Sequence, residues 1–165
     1  MKHHMHWVFG KRVGAALCVI LLVSAPVVAE KTDAVRAVRM DPDKLAGINL
    51  TAEEPFIAPE DVLEGNHRPR GEILHYGEQL IMEVYEDDAA TFRLGEPFLF
   101  DEFVQVLSGK LILTGADGVS QEFIAGDSLV VPKGFTGTWK MLGNYRELVV
   151  IERDAYEEVY GTGDE

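Results

Sequence analysis

From Glu72 to Glu152 the chain is cut by turn-forming residues into short runs rich in β-branched and aromatic side chains. That period excludes long helices from most of the molecule. Ile73 to Tyr76, Leu80 to Glu86, Ala90 to Leu94, Phe100 to Leu107, Lys110 to Thr114, Val119 to Ile124, Ser128 to Val131, Gly137 to Leu142 and Arg146 to Glu152 all read as strands. Gly77, Asp87-Asp88, Gly95, Ser108-Gly109, Gly115 to Gly118 and Gly143-Asn144 separate them. Many short strands at regular spacing fold into a sandwich or a closed barrel. Asp117-Gly118 supplies the positive φ angles of a hairpin joining Leu111-Ile112-Leu113 to Glu122-Phe123-Ile124.

Ahead of this region, Pro42, Pro55, Pro59 and Pro69 interrupt any long period. Asp41 to Gly47 fits one short helix, with Asp41 as N-cap, Pro42 in the first turn and Gly47 as the stop. The apolar residues Ile48, Leu50, Phe56, Ile57, Val62 and Leu63 predict an arm that packs on the sheet and contributes edge strands.

At the start, Lys2, Lys11 and Arg12 precede an apolar run from Val13 to Val23, followed by Val27-Val28-Ala29. This is the pattern of a secretory signal peptide cleaved after Ala29, and the run is shorter than the roughly 20 apolar residues of a membrane anchor. The expected organisation is a signal peptide over 1–29, an arm over 30–71, a barrel over 72–153 and an acidic tail over 154–165. The expected location is periplasmic or secreted, off the membrane after cleavage.

Cleavage removes the only cysteine, Cys18, and three of five histidines, leaving His67 and His75. The exported chain therefore forms no disulfide and relies on its hydrophobic core. Cleavage also removes three basic and no acidic residues, so the formal charge moves from −13 to −16. A surface of that sign repels nucleic acid and anionic lipid, and it keeps an exported domain soluble.

The most specific segment runs from Gly126-Asp127 through Pro132-Lys133-Gly134-Phe135-Thr136-Gly137-Thr138-Trp139. Each turn residue has a mechanical role, since Pro fixes φ and Gly relaxes it. Together with Asp101 to Gly109 and Asp117-Gly118, the segment resembles the cupins, and within them the group related to the ureidoglycine aminohydrolase cupin domain. The resemblance covers about Val62 to Arg153. It implies an all-β, RmlC-like jelly roll, a double-stranded β-helix barrel, and it raises hydrolase or lyase activity on a small nitrogenous or sugar-like compound as one function.

Metal-binding cupins carry two histidines upstream of a glutamate and another just past Pro-x-Gly. On the resemblance, Glu102 is that glutamate, and the upstream histidine slots fall at Gly95 and Pro97, or at Glu96 and Phe98 in a shorter spacing. The downstream slot is Gly137. A lone carboxylate does not hold a transition metal tightly. His67, between Asn66 and Arg68, reads as solvated, and His75 as a core or rim residue. The expectation is therefore a site with no metal and no other cofactor.

A barrel without a metal still has a concave interior. Strand alternation puts Glu102, Val104 and Val106 on one face, and Gly137, Trp139 and Met141 on one face of another strand. Glu102 and Trp139 become the main candidates for binding a small molecule, with Glu83, Tyr85 and Gln105 as further polar contacts and Tyr145 and Arg146 nearby. Enclosed by Val104, Val106, Phe100 and Trp139, Glu102 should be hard to ionise, as a general acid requires; alternatively Arg93 or Arg146 pairs with it structurally. Two readings stand, a ligand-binding protein and an enzyme. A homodimer is the expected assembly, through sheet edges or the arm.

Overall fold

The nine turn-bounded runs become seven strands, because two pairs of them merge, and the arm adds two more; every pairing among the described strands is antiparallel. The computed structural model describes residues 34–161, so the leader assigned to 1–29 and the end of the acidic tail lie outside the described residues. From Ala37 onward the described chain forms one unit.

The arm opens with α1 (Pro42–Leu45), whose N-cap Asp41 accepts a hydrogen bond from the Asp43 amide at 2.9 Å. Gly47 follows with φ +82°. The arm also supplies β1 (Thr51–Ala52) and β2 (Val62–Gly65), which are edge strands as expected. The remaining strands are β3 (Arg70–Tyr76), β4 (Leu80–Asp87), β5 (Ala90–Leu94), β6 (Glu102–Gly115), β7 (Ser120–Ile124), β8 (Ser128–Val131) and β9 (Gly137–Glu152). The order β1-β3-β4-β9-β5-β2 runs across the sheet, and β6 pairs with β7, β8 and β9. This is a cupin-like jelly roll.

β9 is the hub. Its first half lies between β5 and the second half of β6, and its second half lies between β4 and the first half of β6. Ser108-Gly109 and Gly143-Asn144 are thus not the strand ends that the sequence suggests. Both strands run through, and the register between them shifts on either side of Ser108. Gly109 has φ +73°, and a Cβ there would lie 2.7 Å from the Leu142 carbonyl oxygen. The facing irregularities let both strands bend together while pairing continues on each side.

Alternation fills the interior. Val84, Val104, Val106, Leu111 and Val131 are completely buried, and Tyr145, Met141 and Ile81 join them. Burying each aliphatic side chain contributes about 1.5–3 kcal/mol. The end of the chain forms α2 (Arg153–Tyr160) where the sequence suggests only an acidic tail. Arg153 holds it in place: its amide donates to the Gln79 carbonyl at 2.9 Å, and its guanidinium lies 4.7 Å from the Tyr76 ring centre and pairs with Glu157. The Tyr76 hydroxyl donates to the same Glu157.

Candidate functional site

Inside the jelly roll is a cavity of about 300 Å³, built by β4, β6, β9, the arm and α2. Strand alternation dictates its buried end. Glu83 and Tyr85 point inward from β4, Glu102 from β6, and Trp139 and Glu147 from β9. The more exposed end is closed by Glu53, Glu54 and Phe56 of the arm and by Tyr156 and Tyr160, which are four residues apart on one face of α2.

The Pro-Lys-Gly turn of the sequence motif positions an aromatic wall. The Phe98 amide donates to the Phe135 carbonyl at 3.0 Å, the Gly134 amide donates to the Phe98 carbonyl at 2.7 Å, and the Lys133 amide donates to Asp101 at 2.8 Å. Held this way, the Phe98 ring stacks on Trp139 with a centroid separation of 6.4 Å and an interplanar angle of 5°. On the shorter of the two spacings, Phe98 is one of the upstream slots where a metal-binding cupin would carry histidine. At the downstream slot, Gly137 has φ +146°, and a Cβ there would lie 1.9 Å from the Thr114 carbonyl oxygen. No side chain fits without moving the backbone. Among the described residues, no three His, Cys, Asp or Glu side chains are arranged to hold a metal ion. These residues do not fit a transition metal held on imidazoles.

The electrostatics of the cavity are one-sided. Glu83, Glu102 and Glu147 line its buried end, and the described lining residues include no Lys, Arg or His. Glu102 is 8% exposed, and neither it nor Glu83 has a side-chain hydrogen bond among the described residues. Burial, reinforced by the neighbouring Glu83, pushes the Glu102 carboxyl up to about 8 from the ordinary 4.5. Burial, then the charge of Glu53, pushes Glu83 up to about 7. Glu147 is also raised by burial and by Glu102, although the Tyr145 hydroxyl donates to it and works in the opposite direction. Burial raises the phenols as well, so Tyr85, Tyr145 and Tyr160 remain protonated and Tyr156 titrates only at about 12.

The structure brings together Glu102, Trp139, Glu83 and Tyr85, four of the five residues singled out from sequence. The fifth, Gln105, is not part of the cavity. It sits on β6 opposite Ser128 and Leu148, on the face away from Glu102 and Val104, because alternate residues point to opposite sides. Arg93 pairs with Asp61, and Arg146 with Glu86, so neither neutralises Glu102. His67 is not solvated. Its side chain is 3% exposed, its Nδ1 lies 2.6 Å from Asp87 Oδ2, and its Nε2 accepts the Phe56 amide at 3.2 Å. It packs edge-on against Phe56 and Phe92, two rings of the cavity wall. His75 is half-buried on β3 beside the β3–β4 irregularity, away from the cavity.

Sequence reasoning missed Phe98, Glu147, Glu53 and the α2 tyrosines. Glu147 was accessible: Tyr145, Glu147, Val149 and Ile151 alternate inward on the strand that carries Trp139. Phe98 could have been found as the residue occupying the shorter-spacing histidine slot. No local signal placed α2 over the cavity.

Residues 92–146 match the family model described as the EutQ-like cupin domain. Three solved structures are similar. A protein of the DUF861 family from Pseudomonas syringae pv. tomato str. DC3000 has 20% identity and a TM-score of 0.56 over 62% of this chain and 43% of its own, so the chain spans less than half of that relative. The Clostridium difficile EutQ protein has 20% identity and a TM-score of 0.51, over 74% of this chain and 99% of its own. The polyketide cyclase RemF from Streptomyces resistomycificus has 16% identity and a TM-score of 0.52, over 73% and 80%. At these identities the likeness is one of fold, and the comparisons do not single out the ureidoglycine aminohydrolase group. No curated protein matches the sequence significantly.

Proposed function

We propose that this chain is an exported cupin-like protein that binds a small organic molecule in the barrel without a transition metal. The observation that carries this reading is the cavity itself: about 300 Å³, walled by stacked Trp139 and Phe98, with polar carboxyls at its buried end. Apolar walls with a few convergent polar groups are the usual make-up of a small-molecule site. Gly137, and Phe98 on the shorter of the two spacings, support the metal-free part, since the resemblance puts the imidazoles of a metal-binding cupin there. A thermal-shift screen of small polar and aromatic compounds tests it. Compounds that raise the unfolding midpoint of the parent protein but not that of Trp139→Ala are expected; a screen whose hits ignore Trp139→Ala would remove the cavity from the function.

One observation favours a second reading, catalysis by acid–base chemistry. Burial pushes Glu102 up to about 8 and Glu83 up to about 7, and both face the cavity, so a proton donor and a potential acceptor lie at one end of the pocket. In that case the compounds found by the screen are consumed. Mass spectrometry of each hit after incubation with the parent and with Glu102→Gln separates turnover from retention.

A further inference from the structure

We infer that the cavity selects a small organic cation, an ammonium group carried on an apolar body. This rests on reading the cavity as a small-molecule site and names the chemistry it recognises. Glu83, Glu102 and Glu147 line its buried end, and no described lining residue is cationic. Glu102, more than nine-tenths buried and facing the cavity, has no hydrogen-bond partner of its own among the described residues. A carboxylate in that position pays for its desolvation unless a positive group reaches it.

The walls suit the same ligand. Trp139 and Phe98 stack as a flat apolar surface, and Tyr85, Tyr156 and Tyr160 add further ring faces. An ammonium against such faces gains cation–π attraction, and its apolar substituents are buried on them. An anion would find no cationic partner among the described lining residues. The phenols nearest the buried end do not compensate, because the Tyr85 hydroxyl already donates to Asp87 and the Tyr145 hydroxyl to Glu147. Glu53 and Glu54, at the arm side, bring the described lining acids to five. Because burial holds Glu83 and Glu102 partly protonated near neutral pH, an entering cation displaces protons, and binding is coupled to their release.

The test is isothermal titration of the purified full chain with five probes: benzyltrimethylammonium, benzylamine, benzyl alcohol, benzoate and calcium chloride. The two cations are expected to bind about tenfold or more tighter than benzyl alcohol, with benzoate and calcium silent. Repeating the titration in buffers of different ionisation enthalpy is expected to show net proton release with benzyltrimethylammonium, which has no proton of its own. In the Glu83→Gln, Glu102→Gln double variant, proton release falls and cation affinity drops about tenfold or more, while its unfolding midpoint is not lowered. Benzyl alcohol or benzoate binding as tightly as the cations overturns the cation inference and leaves a small-molecule site. Calcium displacing benzyltrimethylammonium overturns it in favour of a metal ion. Silence from all five probes overturns both the inference and the small-molecule reading.

Discussion

Two groups of buried carboxylates meet on strand β4, one of them extending to Glu102 on β6, and they are treated in opposite ways. Glu86 is held by Arg70 Nε at 3.1 Å, Arg146 Nη1 at 2.9 Å and Asn144 Nδ2 at 3.1 Å. Asp87, fully buried, is met by His67 Nδ1, the Tyr85 hydroxyl and the amides of Arg68 and Asp88, all within 2.8 Å. Glu83, only a few residues earlier on β4, has no such donor among the described residues, and neither does Glu102. The chain thus has the means to satisfy buried acids, and even the cavity acid Glu147 receives the Tyr145 hydroxyl, yet Glu83 and Glu102 are given no donor among the described residues. Paired acids hold the arm to the barrel; the unpaired ones face the cavity.

The largest effect should come from breaking the paired group. Arg146→Met removes the Arg146 bonds to Glu86 and to the Ala46 carbonyl. It is expected to cost about 3 kcal/mol in chemical denaturation, because it leaves a buried acid short of its partner. On the unpaired side the sign reverses. Glu83 and Glu102 titrate at about 7 and about 8 in the fold and near the ordinary 4.5 when unfolded. Between those values the folded chain holds more protons than the unfolded one, so stability falls as pH rises. This contribution is complete below about 4.5 and lost once pH passes about 8. Glu102→Gln should flatten the decline and be more stable than the parent at pH 9 by about 2 kcal/mol, read from denaturation curves at both ends of the range. His67→Phe is the smallest case, since it keeps the ring packing and removes one of four donors to Asp87. A loss of about 1 kcal/mol is expected, with cavity binding unchanged in the same thermal-shift screen.

The strand pattern was legible wherever local chemistry decides the outcome. Asp117-Gly118 does close its hairpin, with Leu111 opposite Phe123, and Asp41 does cap α1. Glu102 and Trp139 were found because alternation is a local rule that burial obeys. Gln105 was included against that rule, and it lies on the other face. The sequence misled where the answer depended on a distant segment. Ser108-Gly109 and Gly143-Asn144 look like strand ends, yet each continues because the other bulges opposite it. The polar neighbours of His67 pointed to solvent, but its partner is an acid twenty residues away. The acidic composition of 154–165 hid α2, because the face that matters is formed by Tyr156 and Tyr160 alone.

Gly137 limits which proteins can be reached from this one by single substitutions. At Phe98 or Gly95 a histidine codon is a side-chain exchange, but at Gly137 any Cβ would lie 1.9 Å from a backbone oxygen of the neighbouring strand. Restoring an imidazole there requires Thr114 and the start of β9 to move apart first, and they are held by the pairing of Gly115 with Gly137. Rebuilding a three-histidine centre in this barrel is therefore a problem of strand register before it is one of ligand chemistry. Variants confined to the cavity walls remain one step away.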